Sequence, residues 1–224
     1  MCINKEVSLI TFLFSWGIGF YLLKRNYQLD RWYGLLLLTF SSMQFVDYLL
    51  WVLHDKNMLD SNYNLILTSY VIPVILLAQI FSVYIGKLIF ENNNKFTNLS
   101  SKIYKDINKN VFPKILILYS LLILSNLKFN KGKTKIGKDR ILDWNGVFNK
   151  NNKFSILGYS VFLILLTYPF LKYYNKFAST KIILIFTLLS LLFSFVYTEN
   201  VGSYWCWIAN SLGIIFLFSP YLDI

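Results

Sequence analysis

The sequence predicts an all-α polytopic transmembrane bundle of seven helices, and three observations carry that expectation. Hydrophobic residues fill 56% of the 224 positions and charged ones only 15%, with a mean hydropathy of +0.50, too apolar and too poor in charge for an ordinary soluble domain. The apolar residues gather in seven runs, each near the roughly 20 residues that a hydrocarbon core of about 30 Å requires. The runs show no period-two alternation. Because lipid offers no partner to free backbone groups, they read as helices rather than strands of a barrel.

The first run, 7–23, follows a start that is not strongly basic and precedes no small-x-small cleavage site, so it reads as a retained helix and not a leader. The second, 32–53, contains SSMQFVDYLLWVLH, in which Gln44, Asp47, Trp51 and His54 recur at spacings of three, four and three. One stripe of an otherwise greasy helix is therefore polar or amphipathic. A carboxylate at mid-membrane depth is costly unless it faces a bundle interior or water, which makes Asp47 the leading functional candidate. His54, beside Asp55, falls toward the headgroups and is a peripheral candidate, as is Glu199 in the turn after the sixth run.

The third run, 63–88, carries Ser69, Pro73, Gln79 and Ser82; the sixth, 182–198, carries Thr187, Ser190, Ser194 and Tyr197. Such stripes are ordinary helix-packing features. The fourth run, 111–127, starts with Pro113 and Lys114 in its first turn, leaving a re-entrant or interfacial segment as the alternative to a span. The fifth is 154–171, and the seventh, 203–221, opens with GSYWCWIANS. Its Tyr204, Trp205 and Trp207 suit an aromatic belt. Asn210 sits deeper, where its amide needs a partner, and Asp47 is a candidate.

The loops set the expected orientation. Lys24, Arg25 and Arg31, then Lys87 and five lysines from Lys95 to Lys114, then Lys172, Lys176 and Lys181 lie on one side, opposite a face poor in positive charge. The positive-inside rule places the N-terminus outside and the C-terminus in the cytoplasm. The basic loop 128–153 is the exception, with eight Lys or Arg on the outer side. Its KGKTKIGKDRILDWNG, punctuated by Gly132, Gly137 and Asn145-Gly146, reads either as a small hairpin or lid or as a solvated tether. The loop 91–110 contains Asn98-Leu99-Ser100, a glycosylation acceptor that the cytoplasmic side would leave unmodified.

Lys and Arg outnumber Asp and Glu by 22 to 11, but no nucleic-acid signature accompanies them, so the expected partner is the bilayer and its anionic headgroups rather than nucleic acid. Cys2 and Cys206 form neither a disulfide framework nor a metal cluster, although both fall on the outer side, where a bridge is topologically allowed. Catalytic signatures are missing too. There is no G-x-S-x-G elbow, no H-E-x-x-H pair and no Gly-rich phosphate loop, and no lysine in the last run for a retinal Schiff base. Neither an enzyme, a cofactor nor a metal is expected.

The pairing of SSMQFVDYLLW with GSYWCWIAN resembles an uncharacterised family of seven-pass membrane proteins from giant DNA viruses and protists. Ser42, Gln44, Asp47 and Trp51 match its second-helix pattern, and Ser203, Trp205, Cys206, Trp207 and Asn210 its last-helix signature. The family pattern has Glu where Asp47 stands and a fuller Trp-bearing motif in the fourth loop, of which Leu142 and Trp144 resemble a remnant; that departure leaves the role of the loop open. Usage tilted toward Asn, Lys, Ile, Phe and Tyr, with alanine only at 78, 178 and 209, suits an AT-rich genome.

The resulting expectation is a multi-pass integral membrane protein with a polar intramembrane site at Asp47, Gln44 and Asn210, framed by Trp51, Ser203 and Trp207. It would act as a channel, carrier or sensor for a small solute, ion or proton, alone or as an oligomer. The alternative is a structural or interaction protein of a viral or cellular membrane, in which the stripe only locks helices together.

Overall fold

The computed structural model describes residues 4–89, 112–129, 132–137, 140–144, 153–173, 175, 177–197 and 210–223. These are mostly helical. The helices are α1 (Lys5–Arg25), α2 (Asp30–Asp55), α3, which begins as Asn62–Ile66 and continues as Ile72–Ile89, α4 (Phe112–Phe129), α5 (Lys153–Tyr173), α6 (Ala178–Tyr197) and α7 (Leu212–Leu222). Two short strands, β1 (Lys135–Ile136) and β2 (Leu142–Asp143), pair antiparallel between α4 and α5.

Local chemistry explains the ends. Asn4 caps α1 by accepting from the Val7 N–H at 2.8 Å, and Asn26 closes it in the left-handed conformation at φ 51°, which asparagine tolerates, donating its own N–H to Leu22 O. In α3 a π-helical turn, Leu67–Val71, interrupts the α-helix just before Pro73. Proline has no N–H to give and its ring crowds the carbonyl four residues back, that of Ser69; widening the preceding turn relieves the clash. The Ile72 N–H accordingly reaches back to Leu67 O.

The centre of the packing is α2, which buries residues along almost its whole length. It runs antiparallel to α1, with Lys5 meeting Asp55 at one end and Gly19 crossing Gly34 near the other. A Cβ on Gly34 would stand 2.9 Å from the Gly19 carbonyl oxygen, so glycine here is what lets the two backbones touch. On another face Tyr33 stacks on Phe216 of α7 at 4.5 Å, and Gly213 packs on Leu37, so α7 is antiparallel to α2 as well. Trp32 stacks on Phe170 of α5 at 4.4 Å.

Among the described residues three helical stretches are long and apolar enough to cross a membrane: Lys5–Arg25, Asp30–Asp55 and Asn62–Ser82. Pro113–Ile123, Ala178–Ser190 and Leu212–Leu222 are apolar but shorter. Large apolar side chains stand on the outside, among them Leu13 and Phe14 on α1, Leu118 and Leu121 on α4, and Leu188 and Leu192 on α6. A soluble monomer rarely exposes so many large apolar side chains.

The end of the bundle opposite the hairpin is closed by ion pairing. Arg25 grips the fully buried Asp30 in a bidentate pair, Nε to Oδ2 at 2.6 Å and Nη2 to Oδ1 at 2.7 Å. The same guanidinium donates to Phe216 O and Leu217 O of α7. Pro220 has no N–H for the Phe216 carbonyl four residues back, which accepts instead from Arg25 and from the Ser219 hydroxyl. Nearby, Asp223 accepts from the Ser179 N–H and hydroxyl, and that hydroxyl also meets Tyr33 Oη at 2.7 Å.

Removing one partner of a buried pair leaves an uncompensated charge, so Arg25→Met is expected to destabilise the fold by about 3–5 kcal/mol. The double variant Arg25→Met/Asp30→Leu should recover much of the loss in thermal melts of the detergent-solubilised chain.

Candidate functional site

Asp47 lies on the inward face of α2, two turns from its C-terminal end, and is fully buried. Its Oδ1 accepts a hydrogen bond from the indole Nε1–H of Trp144 at 3.0 Å. That donor comes from the hairpin rather than from a helix. Leu142 and Trp144 are buried with it, as is Ile141, so this part of the basic loop enters the protein instead of trailing through solvent. An indole N–H is a neutral donor placed where the carboxylate has no water to turn to.

The hairpin is held at its other arm by α3. Asn64 uses both ends of its amide: Nδ2 donates to Leu59 O at 2.6 Å and to Thr134 O at 2.8 Å, while Oδ1 accepts from Thr68 Oγ1 at 2.8 Å and from the Thr134 N–H at 3.0 Å. Thr68 and Thr134 meet hydroxyl to hydroxyl at 2.7 Å. Ser69 donates to Gly132 O and accepts from the Gly132 N–H. The Lys133 ammonium reaches Asp60 O. Thr68 and Ser69 belong to the π-helical turn, so the widened turn beside Pro73 is also the seat of the hairpin. Within the hairpin the Gly137 N–H bonds to Ile141 O, and Arg140 turns the chain at φ 56°.

Of the other expected site residues, Gln44 is fully buried one turn below Asp47, and its Oε1 accepts from Thr11 Oγ1 of α1 at 3.3 Å. Trp51 is buried one turn above, with its ring edge-on to His54 at 5.3 Å. His54 stands at the surface with Asp55, which also pairs with Lys5 at 2.6 Å. Asn210 is buried. The register of α7 on α2, Phe216 at Tyr33 and Gly213 at Leu37, carries Asn210 to the level of Ser41, about 9 Å along the helix from Asp47. Ser203, Trp207 and Glu199 lie outside the described residues, as do Cys2 and Cys206.

The residues that sequence reasoning passed over are Thr11, Asn64, Thr68 and Thr134. Two faint signals pointed to the α3 part: Asn64 and Thr68 are four apart on one helical face, and Pro73 stands four residues after Ser69. The partner Thr134 left no signal, because nothing local marks a loop threonine for burial. Among the described residues no three His, Cys, Asp or Glu side chains gather to hold a metal ion.

Comparison of the chain with protein-family models, with curated proteins and with solved structures finds no match.

Trp144→Phe keeps the buried ring while deleting the donor to Asp47. It is expected to lower stability by about 1–3 kcal/mol, the cost of a buried acceptor that loses one hydrogen bond. Thermal melting, together with faster proteolytic cutting within 132–144, checks this.

Proposed function

We propose that the chain is a seven-span integral membrane protein, N-terminus outside and C-terminus cytoplasmic, acting as a channel, carrier or sensor for a proton, small ion or small polar solute. The observation that carries this reading is the fully buried Asp47 carboxylate held by Trp144 of an inserted hairpin. A carboxylate in hydrocarbon is retained at high cost and characteristically lies on an ion or proton path. Here the group that covers it comes from a loop that enters from the same end as Lys5 and Asp55. The hairpin then serves as the cover of an outward-facing site, and its release from Asp47 is the opening step. Gln44 supplies an adjacent amide, with Trp51 above it. The seven helices and their apolar exteriors support this reading, three helical stretches being long and apolar enough to cross on their own. The likeness to seven-pass proteins of giant viruses and protists supports the same architecture, and the contact of Asp47 with Trp144 joins two of its motif elements.

A second reading draws on the same burial. If Asp47 never meets water, its bond to Trp144 is a structural latch that fixes the hairpin as a docking element for other proteins of the membrane.

Asp47→Asn separates the two, because asparagine keeps an oxygen that can accept the Trp144 N–H while removing the ionisable group. In proteoliposomes with imposed proton, sodium or potassium gradients, the variant is expected to lose flux with its melting temperature nearly unchanged. Wild-type flux in the variant would sink the transport reading, and a silent wild-type that copurifies with one stoichiometric partner favours the latch.

The orientation has its own check. Expressed in a eukaryotic secretory system, Asn98 should remain unglycosylated, and a mobility shift on endoglycosidase treatment would reverse the assignment.

A further inference from the structure

Asp47 is not the deepest polar side chain facing the interior of the bundle. Gln79, on the buried face of α3, is fully enclosed, and among the described residues neither its amide oxygen nor its amide nitrogen has a hydrogen-bond partner. Its neighbours along that face are the buried Leu76, Ile80 and Ser82, and the Ser82 hydroxyl is committed to the Gln79 backbone carbonyl at 2.7 Å. Gln44 makes a useful contrast, since its oxygen is taken by Thr11. Native proteins rarely leave a whole buried amide unsatisfied, and ordered water is a common partner of such groups.

The depth of Gln79 follows from helix geometry. α2 and α3 leave the same short connection, 56–61, in opposite chain directions. At 1.5 Å per residue Asp47 lies about 12 Å from that end of α2, and Gln79 about 25 Å from that end of α3. The two groups are therefore separate stations, about 13 Å apart in depth along the bundle.

We propose that Gln79 is a second intramembrane site, which binds a small neutral molecule able both to donate and to accept hydrogen bonds: water, or a solute of the urea or polyol kind. The chemistry of the amide selects this class. Its oxygen accepts and its nitrogen offers two donors, so the occupant must do both. A bare cation would satisfy only the oxygen and oppose the amide protons, and an anion would do the reverse. The inference stands on Gln79 and its burial, independently of what Asp47 does.

The test uses the full-length protein in lipid bilayers with glutamine side chains labelled with nitrogen-15. The chain has only three glutamines, 28, 44 and 79, and Gln79→Leu identifies the signal of interest by its loss. In water-edited solid-state NMR the Gln79 side-chain amide is expected to take up magnetisation from mobile water, as the half-buried Gln28 does. No transfer to Gln79, with transfer to Gln28 intact, overturns the proposal when carbon-13 urea and glycerol also give no cross-peak. A cross-peak from either solute identifies the occupant as that solute; water transfer alone identifies it as water. Stability supplies a second readout. Leucine in place of an empty, unpaired amide would raise the melting temperature, whereas loss of a bonded occupant leaves it level or lower. A rise therefore counts against the site. Because occupancy is read at Gln79 itself, this result is separate from flux through Asp47.

Discussion

Two carboxylates on one helix impose the main constraint on this fold. α2 buries Asp30 near its start and Asp47 two turns before its end, and neither has solvent to turn to. A buried charge must find its partners inside the protein. The chain meets this demand with a near neighbour for Asp30 and a distant segment for Asp47. Arg25 neutralises Asp30 and ties the pair to the carbonyls of α7, almost two hundred residues on, while Trp144 of the hairpin meets Asp47. The apolar helices supply surface for packing, but the carboxylates set which segments must arrive at each end of α2.

The two ends are closed by different chemistry. At the Asp30 end the lock is a bidentate ion pair, supported by two carbonyls of α7, those of Phe216 and Leu217. Such a pair holds firmly because breaking it strands a charge. At the Asp47 end one partner is a neutral indole on a short hairpin, whose other arm rests on hydroxyls and one asparagine. Hydrogen bonds of that kind are individually modest. A hairpin held by such bonds is compatible with the opening step proposed for it.

Pro73 links the backbone to that site. Its missing N–H and its ring account for the π-helical turn before it, and the turn presents Thr68 and Ser69 to Gly132 and Thr134. Single π turns recur where a helix carries function, because the extra residue shifts side chains out of the regular stripe. Here the shift supplies the seat for the hairpin, and through it the position of Trp144 over Asp47.

By itself the sequence determined the helical character of the chain, the position of most of its helices, and the burial of Gln44, Asp47 and Trp51 on α2 with His54 left at the surface. Those follow from hydropathy and from helical spacing, which are local properties. It did not determine that Asp47 would meet Trp144, that Asn64 would serve both its own helix and a loop threonine, or that Arg25, read as an orientation signal, would bind α7. Each of these depends on which segment reaches which helix end, and a buried polar atom takes whatever donor the tertiary packing brings within about 3 Å. The same holds for Gln79. Its place in an ordinary packing stripe was visible from spacing, whereas its lack of a partner among the described residues depends on how the neighbouring side chains pack.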